Sequence, residues 1–290
     1  NLELNFTSNG GNGGTGDGGD SAYGYLYAGS DGYGGVFTNV TANLALVGGN
    51  STSANGGNGQ GLSVYQYEYG HGRVRVNGYA NGGNGVEGGD GGYIDQYGYE
   101  ATIEITYNFA MNGGNGTTGD GGPGGTIYFN NGDDHVIMRG NLTVNGGNST
   151  SGTGGDGGYF NDTVGGYRGG LEMLNFNLTM LGGNSDTGNG GNGGEMDFSN
   201  GLEGRLRVAD SSFNLSGGNG SVVSGTSDGG NGGQAYWFTD EADVYIVNST
   251  FVANGGTGRG DGGFGGILIF TADHDNDGRG SNIWADIDIT

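Results

Sequence analysis

The chain has no cysteine, no lysine and only one proline in 290 residues. Without cysteine it can form neither disulfide bonds nor thiolate metal sites, and thiol catalysis is excluded as well. The cellular compartment stays open, because many secreted proteins fold without disulfides. A single proline, with no strict three-residue glycine period, also excludes a collagen triple helix.

Long hydrophobic runs are absent too. No apolar stretch is long enough to cross a bilayer, and no charged-then-apolar leader follows Asn1. We therefore expect no membrane insertion, and a chain that is soluble or already processed.

Positive charge is scarce, since eight arginines face 31 carboxylates for a formal net charge of -23. Nucleic acids and anionic membranes bind through Lys and Arg that displace counterions, so neither is an expected partner. Cations, neutral glycans and further copies of the chain remain. We expect the chain to be its own main partner, with covalently attached glycans.

Glycine is abundant, at 77 residues. Hydrophobic residues still make up 32% of the chain and aromatic residues 11%, and they alternate with polar residues between the glycine runs. Because a disordered chain is poor in such segments, this composition predicts folded β structure separated by glycine-rich connections.

A repeat organises the whole chain. Its steps of 31 to 38 residues predict a single solenoid domain over 1–290, with about eight coils and with the last coil and terminal strand at 255–290. The repeats begin at the triplet Gly-Gly-Asn or, in the last case, Gly-Gly-Thr, at Gly10, Gly48, Gly82, Gly113, Gly146, Gly182, Gly217 and Gly255.

The unit that starts at Gly113 shows how one coil is built. A glycine-rich run is followed by three short segments of β-branched and aromatic residues, at 127–129, 136–138 and 142–144. A propeller blade needs four strands, and a leucine-rich repeat needs its own leucine and asparagine spacing. Three strands per coil therefore predict an all-β parallel β-helix with three parallel sheets and stacked glycine-rich loops.

This pattern resembles the right-handed parallel β-helix proteins of the pectin-lyase-like type. The segments NSTFVANGG at 248–256 and GGFGGILIF at 262–270 are similar to those of glycine- and asparagine-rich surface, filament or sheath proteins. The resemblance covers nearly the whole chain, and it implies an architecture and not an activity.

Eleven Asn-X-Ser/Thr sequons are present, about twice the roughly five that composition predicts. Several precede a glycine run by an odd number of residues, which predicts outward asparagines beside inward Phe6, Leu142, Leu178 and Leu215. Either they carry N-linked glycans or Asn and Thr merely suit strand ends and turns. The candidates are Asn5, Asn39, Asn50, Asn115, Asn141, Asn148, Asn161, Asn177, Asn214, Asn219 and Asn248.

Two polar ladders are expected beside the glycines. The triplet asparagines should stack in neighbouring coils about 4.8 Å apart and hydrogen-bond through their side-chain amides. A second column should contain Asp17, Asp90, Asp120, Asp156 and Asp261, with Asn192 in one coil. Stacked carboxylates repel, so this column should either face solvent or bind Ca²⁺.

No cofactor is required by the sequence, and calcium is the only candidate. Asp273, Asp275 and Asp277 form the opening DxDxDG of a calcium loop, although Trp284 stands where a bidentate Glu is usual. An acidic turn is the alternative.

Catalysis is not expected. Polygalacturonases share the β-helix fold and use clustered aspartates with a Gly-His-Gly motif, and this chain has Gly70-His71-Gly72 and Asp133-Asp134, but in the reverse order and without a basic triplet. Alternating Tyr23, Tyr25 and Tyr27 suit either a sugar-stacking surface or an ordinary strand face.

Both ends of the chain read as strands that are ready to pair, and neither has a helical or polar cap. We expect an extracellular or cell-surface structural protein that assembles into a filament, sheath or surface layer; a glycan-binding adhesin and a polysaccharide-degrading enzyme are the alternatives. Alternatively, the terminal strands cap the core of one molecule. The assembly strands are marked by Leu2, Leu4, Phe6, Ile283, Ile287 and Ile289.

Overall fold

The chain folds into a parallel β-solenoid with two sheets, as a computed structural model shows. No helix occurs in the part of the chain that the structure describes, and hence none that could span a membrane. The described residues are 2–28, 38–67, 71–99, 102–132, 135–164, 170–200, 205–223, 225–240, 243–273 and 283–289.

The first wall of the solenoid, sheet 1, contains ten strands that pair in parallel from one coil to the next. Its strands are long because each coil contributes one uninterrupted run of alternating residues, except where β13 and β14 divide one run between them. They are β1 (Leu2–Asn9), β3 (Thr38–Val47), β5 (His71–Asn81), β7 (Thr102–Ala110), β9 (His135–Thr143), β11 (Gly170–Thr179), β13 (Arg205–Ala209), β14 (Ser212–Asn214), β16 (Asp243–Val252) and β18 (Ile283–Ile289).

The second wall, sheet 2, contains eight shorter strands, also parallel. Their seven pairings make about seven stacked turns, which confirms the predicted parallel β-helix. The strands are β2 (Gly24–Ala28), β4 (Leu62–Tyr67), β6 (Tyr93–Tyr99), β8 (Thr126–Asn131), β10 (Tyr159–Val164), β12 (Glu195–Asn200), β15 (Gln234–Asp240) and β17 (Ile267–Asp273).

The sequence predicted three sheets, whereas the described residues form two. The predicted segments 136–138 and 142–144 do not form separate strands, because β9 runs through both as far as Thr143. The residue between them is Gly140, which has a positive φ of 92° and lies between Tyr107 and Phe176 in the register. Glycine is needed there because a Cβ would overlap the carbonyl oxygen of Tyr107.

Later coils make the same bend with an inserted residue. Asn175, Asp210 and Asn248 have φ values of 52°, 51° and 52°, and the register of β11 shifts at this point. Asn and Asp tolerate the left-handed region better than other side chains, so these three positions are β-bulges. The Nδ2 of Asn248 donates to Oδ1 of Asp210 (2.7 Å), which joins two of the bulges.

The core lies between the two sheets and is filled by every second residue of each strand. Its composition changes along the axis: β3 and β5 contribute Val, Leu and Ala, whereas later coils contribute a chain of aromatic contacts. Trp237, which is 1% exposed, contacts the rings of Phe198, Phe213, Phe251 and Phe270. Inward Leu142, Leu178 and Leu215 are each at most 2% exposed, as the strand parity predicted, and Phe6 is partly buried against the core.

The third wall is made of glycine-rich arms, each connecting a sheet 1 strand to the next sheet 2 strand. We call the first half of an arm its outgoing limb, the second half its returning limb, and the bend between them its tip. The arms are 10–23, 48–61, 82–92, 111–125, 144–158, 180–194, 215–233 and 253–266.

Candidate functional site: the glycine arms and their polar columns

The two limbs of an arm are joined by backbone alone. The N–H of Gly155 donates to the carbonyl of Gly147 in its own arm (2.8 Å), and the N–H of Gly183 in the next arm donates to Gly155 (2.7 Å). The same alternation runs through every arm, so one zigzag of glycine amides climbs the solenoid from Gly11 to Gly263. Because both limbs approach this closely, a side chain on most of these glycines would overlap a carbonyl oxygen of the opposite limb or of a neighbouring arm.

Polar residues recur at every third position in most limbs, as Asn145 and Asn148 do on the outgoing limb, with Leu181, Pro123 and Phe264 as exceptions. Gly225 is the only described arm glycine with a positive φ. The glycines between these polar residues therefore do not have positive φ. A three-residue period with negative φ is typical of the polyproline II conformation. Glycine is therefore required in the arms for close backbone approach.

The triplet asparagines form an unbroken column on the outgoing limbs. The backbone N–H of each donates to Oδ1 of the asparagine one coil earlier, as Asn148 does to Asn115 (2.9 Å). Stacking is thus as predicted, but the bond runs from backbone to side chain and not from amide to amide. We call Asn12, Asn50, Asn84, Asn115, Asn148, Asn184 and Asn219 the outgoing column, which ends on the backbone N–H of Thr257.

An amide-to-amide ladder does exist, on the outer face of sheet 1. Nδ2 of Asn43 donates to Oδ1 of Asn5 (2.7 Å), and Nδ2 of Asn77 donates to Asn43 (2.9 Å). Further along the same register, Nδ2 of Asn177 donates to Asn141 (2.9 Å). Sequence reasoning missed this ladder because it aligned the coils on their glycines and not on the strand register.

The predicted aspartate column is wrong in its membership. Each returning limb has two polar positions three residues apart, and Asp-Gly-Gly occurs at either one, so aligning on that triplet mixed two columns. Asp17, Asp120 and Asp261 belong to the first column, and Asp90, Asp156 and Asn192 to the second. Asparagine, threonine or proline separates most of the carboxylates, which removes the continuous charge stack that favoured calcium there.

The second returning column has the same bonding as the outgoing column. The N–H of Asn58 donates to Oδ1 of Asp20 (2.7 Å) and that of Asp90 to Asn58 (2.8 Å). Pro123 follows, and it has no N–H to satisfy. Burial raises the pKa of Asp90, and the charge of Asp20 two coils away raises it further.

Most of the calcium motif predicted near the C-terminal end lies outside the described residues. Asp275 and Asp277 lie outside the described residues, and Asp273 ends β17, in register with Asp240. Among the described residues no three acidic or histidine side chains lie close enough together to hold a metal ion. Calcium stays a prediction.

Eleven sequons occupy four kinds of position. Asn50, Asn115, Asn148 and Asn219 lie in the outgoing column and are exposed. Asn248 is at a bulge and Asn161 on sheet 2. The others lie on the strands of sheet 1, where Asn5, Asn141 and Asn177 are exposed and Asn39 and Asn214 half-buried.

Of the residues weighed for catalysis, Gly70, Asp133 and Asp134 lie outside the described residues, and His71 begins β5 on sheet 1 beside Gly72. Among the described residues, Asp162 is the carboxyl whose pKa is raised furthest; its side chain is 1% exposed and points into the core.

Asp162 lies between Phe129 and Phe198 in the inward register of sheet 2. Neither of its carboxyl oxygens has a hydrogen-bond partner in the described part of the chain. Burial raises its pKa from 3.8 to about 8. The alternation Phe160, Asp162, Val164 contained the signal for this residue, an acid in the apolar phase of a strand.

Arginines, which are scattered in the sequence, gather on one face. Five of the six described arginines point outward from sheet 1, and Glu104 pairs with two of them, Arg73 (2.8 Å) and Arg139 (3.2 Å). Glu172 pairs with Arg207 (3.3 Å) and with His135 if that imidazole is protonated (3.4 Å). The Arg-X-Arg spacing in β5 and β13 was the available signal, since alternate residues of a strand share a face.

A groove follows the corner between the returning limbs and sheet 2. Two hollows of about 360 and 330 Å³ share Gly157, Gly158 and Tyr159 and so form one channel along the axis. Its walls carry the second returning column and the edges of Tyr93 and Tyr159. Outside it, Tyr65 stacks on Tyr97 with ring centroids 4.8 Å apart, so these faces cover each other.

Among the described residues, the first and last arms each lack a neighbour on one side. Nothing lies within 4 Å of a Cβ built on Gly11, whereas its equivalents Gly49 and Gly83 would overlap the preceding arm. At the other end, Gly262 and Gly265 contact only their own arm, whereas their equivalents in earlier arms overlap the next.

The terminal strands have the same character. β1 pairs only with β3 and β18 only with β16 among the described residues, and Leu2, Ile283 and Ile289 are 52%, 45% and 66% exposed. Leu4 and Phe6 pack partly against the core, while the side chain of Ile287 lies outside the described set.

Comparison with protein-family models, with curated proteins and with solved structures finds no significant match for this chain.

Proposed function

We propose that this chain is an extracellular or cell-surface structural protein that assembles end to end into a filament, sheath or surface layer and carries N-linked glycans. The single observation that carries the proposal is the complementarity of the two outer arms. The resemblance to filament and sheath proteins belongs to the same proposal. So does the expectation that the chain is not an enzyme.

Unpaired backbone groups on the two outer arms match each other. The N–H groups of Gly217 and Gly229 donate to the carbonyls of Asn254 and Asp261 in the last arm, and Gly10 and Gly18 donate likewise to Val47 at the end of β3 and to Asn55 in the second arm. In the last arm the corresponding N–H groups are those of Gly255, Gly258, Gly262 and Gly265. At the first arm the corresponding carbonyls are those of Asn12, Asp17 and Asp20, with that of Asn9 at the end of β1.

None of these donors, and none of the carbonyls of Asn12, Asp17 and Asp20, makes a backbone hydrogen bond within the described residues. Stacking the last arm of one copy on the first arm of another would therefore repeat the contact that already joins successive arms. Such a head-to-tail contact does not close on itself, so it generates a linear polymer.

Assembly can be tested with a substitution that spares the monomer. Gly11→Val places its side chain in open space within one chain, but in a stack it would meet the arm of the next copy. We expect wild-type 290-residue chains to form linear polymers in electron micrographs and G11V to stay monomeric with an unchanged melting temperature. Gly14→Thr is the control, because Thr52, Thr117 and Thr150 occupy the equivalent position in later arms. A wild-type chain that remains monomeric at high concentration would refute the proposal.

A second candidate function is binding of neutral glycans, as an adhesin would do. The groove beside Tyr93 and Tyr159 favours it, because a linear sugar chain could meet the amide and carboxylate groups of Asn58, Asp90, Asp156, Asn192 and Asn231 with tyrosine side chains beside them. A glycan array probed with wild type and with the Tyr159→Ala variant tests it. Binding that is lost in the variant, without polymer formation by the wild type, would favour this function over the first.

A further inference from the structure

The environments of the eleven sequons differ in what their side-chain amide already does. N-glycosylation joins Nδ2 to the anomeric carbon of an oligosaccharide activated as a lipid pyrophosphate. The pyrophosphate leaves with the electrons of the broken C–O bond, and Nδ2 loses one proton. The oxygen Oδ1 is untouched, so an asparagine that serves the fold only through Oδ1 keeps its role after modification.

Asparagines of the outgoing column meet this condition. Oδ1 of Asn115 accepts from the backbone N–H of Asn148 (2.9 Å), and Oδ1 of Asn148 accepts from Asn184 (2.8 Å). Nδ2 of neither residue makes a hydrogen bond within the described part of the chain, and both residues are exposed. The same holds for Asn50 and Asn219.

Three of the seven sequons outside the column use Nδ2 inside the molecule, whereas Asn5 and Asn141 on sheet 1 accept through Oδ1 as the column does. Nδ2 of Asn177 donates to Asn141 (2.9 Å), that of Asn161 to the hydroxyl of Tyr159 (2.9 Å), and that of Asn248 to Asp210 (2.7 Å). A sugar on any of these nitrogens would replace a donated hydrogen or crowd its acceptor. Asn248 has an independent reason to be asparagine, since it adopts the left-handed region at a bulge.

Composition of the columns adds a second argument. Returning columns fill the same acceptor role with Asp17, Asp20, Asp120 or Asp156 as well as with asparagine. Seven of the eight arms have asparagine at the outgoing-column position and the last has Thr257, although an oxygen is all that the ladder requires. What asparagine has and aspartate lacks is Nδ2. Four of these seven asparagines are sequons, compared with seven of the other 27 in the chain.

We infer that the N-linked glycans of this protein are carried by the outgoing column, at Asn50, Asn115, Asn148 and Asn219. This inference rests on the glycoprotein part of the proposed function. Such glycans would form a row along one edge of the solenoid, away from the groove and from the outer arm faces, and would leave end-to-end stacking unobstructed.

Glycopeptide mass spectrometry on the full chain, secreted and folded by a host that N-glycosylates, tests the inference. We expect occupancy at the four column sites and not at Asn161, Asn177 or Asn248. Gain-of-site variants sharpen the test. Val86→Thr creates a sequon at Asn84 in the column and should add one glycan without lowering the melting temperature. Ala45→Thr creates one at Asn43, whose Nδ2 donates to Asn5, and should leave that site empty in the folded fraction.

A second measurement needs neither glycans nor polymer. In unglycosylated chain, Asn115→Asp keeps the acceptor and should shift the melting temperature by no more than about 1 °C, whereas Asn115→Leu removes it and should lower it by about 2 to 4 °C. Empty column sites, or an N115D variant as unstable as N115L, would overturn the inference. Glycosylated column sites on a chain that does not polymerise would instead refute end-to-end assembly alone, so the two failures are distinguishable.

Discussion

In the two sheets, neighbouring coils are joined through packed apolar side chains as well as backbone, whereas in the arms they are joined by backbone hydrogen bonds and by the Oδ1 acceptors of the polar columns. Sheet strands bury every second residue in one apolar core, and their outward residues face solvent. The arms bury glycine and, in most limbs, place a polar residue at every third position. The sheets and the arms should therefore respond to opposite kinds of substitution. The sheets should lose stability when an inward side chain is removed, and the arms when a side chain is added to a glycine.

This difference has an energetic basis. Ordering glycine costs more conformational entropy than ordering any other residue, and the arms bury few apolar side chains to offset it. What they have is one hydrogen bond for nearly every glycine amide, each worth about 1 kcal/mol net, and Oδ1 acceptors that stack in register. An arm is thus stable only when its neighbours are in contact with it.

The largest expected effect comes from a methyl group inside an arm. Gly147→Ala would place Cβ on the carbonyl oxygen of Gly114, and backbone on both sides cannot move without breaking the glycine zigzag. We expect a loss of about 4 kcal/mol or more, or no folding at all, measured by urea denaturation.

Gly14→Ala is the matched control, because nothing lies within 4 Å of its added Cβ. It should change the free energy of unfolding by less than about 0.5 kcal/mol. Equal stability of the two variants would mean that the arms are not closely packed. It would contradict the proposed difference between the arms and the sheets.

The fold itself could be predicted from the sequence because repetition and alternation are both written in it. Gly-Gly-Asn marks each coil, and parity placed Leu142 and Leu178 inward correctly. The number of sheets could not be predicted, since Gly140 between two apolar segments is equally compatible with a turn and with a bend within one strand. Only contact with Tyr107 and Phe176 decides between them.

At the candidate site, stacking of the triplet asparagines was predicted, but the atoms that bond were not. Asn-Gly-Gly repeats specify a period, and whether Nδ2 or the backbone donates depends on how far each limb is rotated. The aspartates were assigned to one column because Asp-Gly-Gly recurs at two positions three residues apart. Local sequence does not distinguish those positions; hydrogen-bond register across coils does.

In the sheets, a smaller effect on stability is expected from Asp162. Its folded pKa of about 8 lies above the ordinary value of 3.8 because burial disfavours the carboxylate. Between about pH 3.8 and pH 8 the folded state therefore keeps the proton on Asp162, whereas the unfolded chain has lost it. Stability from this group is complete below pH about 3.8 and falls as pH rises toward 8, by up to about 1.4 kcal/mol per pH unit.

Asp162→Leu should remove this dependence and raise the free energy of unfolding at pH 8 by about 3 kcal/mol, since an apolar side chain of similar size suits the space between Phe129 and Phe198. Denaturation curves at pH 5 and pH 8 measure it. Glu195→Gln, an exposed charge on the next strand of sheet 2, is the control and should leave the pH slope unchanged. A wild-type stability that is flat between pH 5 and 8 would contradict the burial of an unpaired carboxyl.

The smallest expected effect on stability comes from an arm tip, where serine hydroxyls also form hydrogen bonds with the backbone. Ser149 is 3% exposed; its hydroxyl donates to the carbonyl of Gly119 (2.6 Å) and accepts from the N–H of Gly152 (2.7 Å). Ser149→Ala leaves both groups without that partner, so we expect a loss of about 2 kcal/mol by urea denaturation. Ser151→Ala, an exposed serine with one bond to Thr117, should lose less than about 0.5 kcal/mol. If S149A is as mild as S151A, the tip adds nothing to the arms, and their stability rests on the glycine zigzag and the polar columns alone.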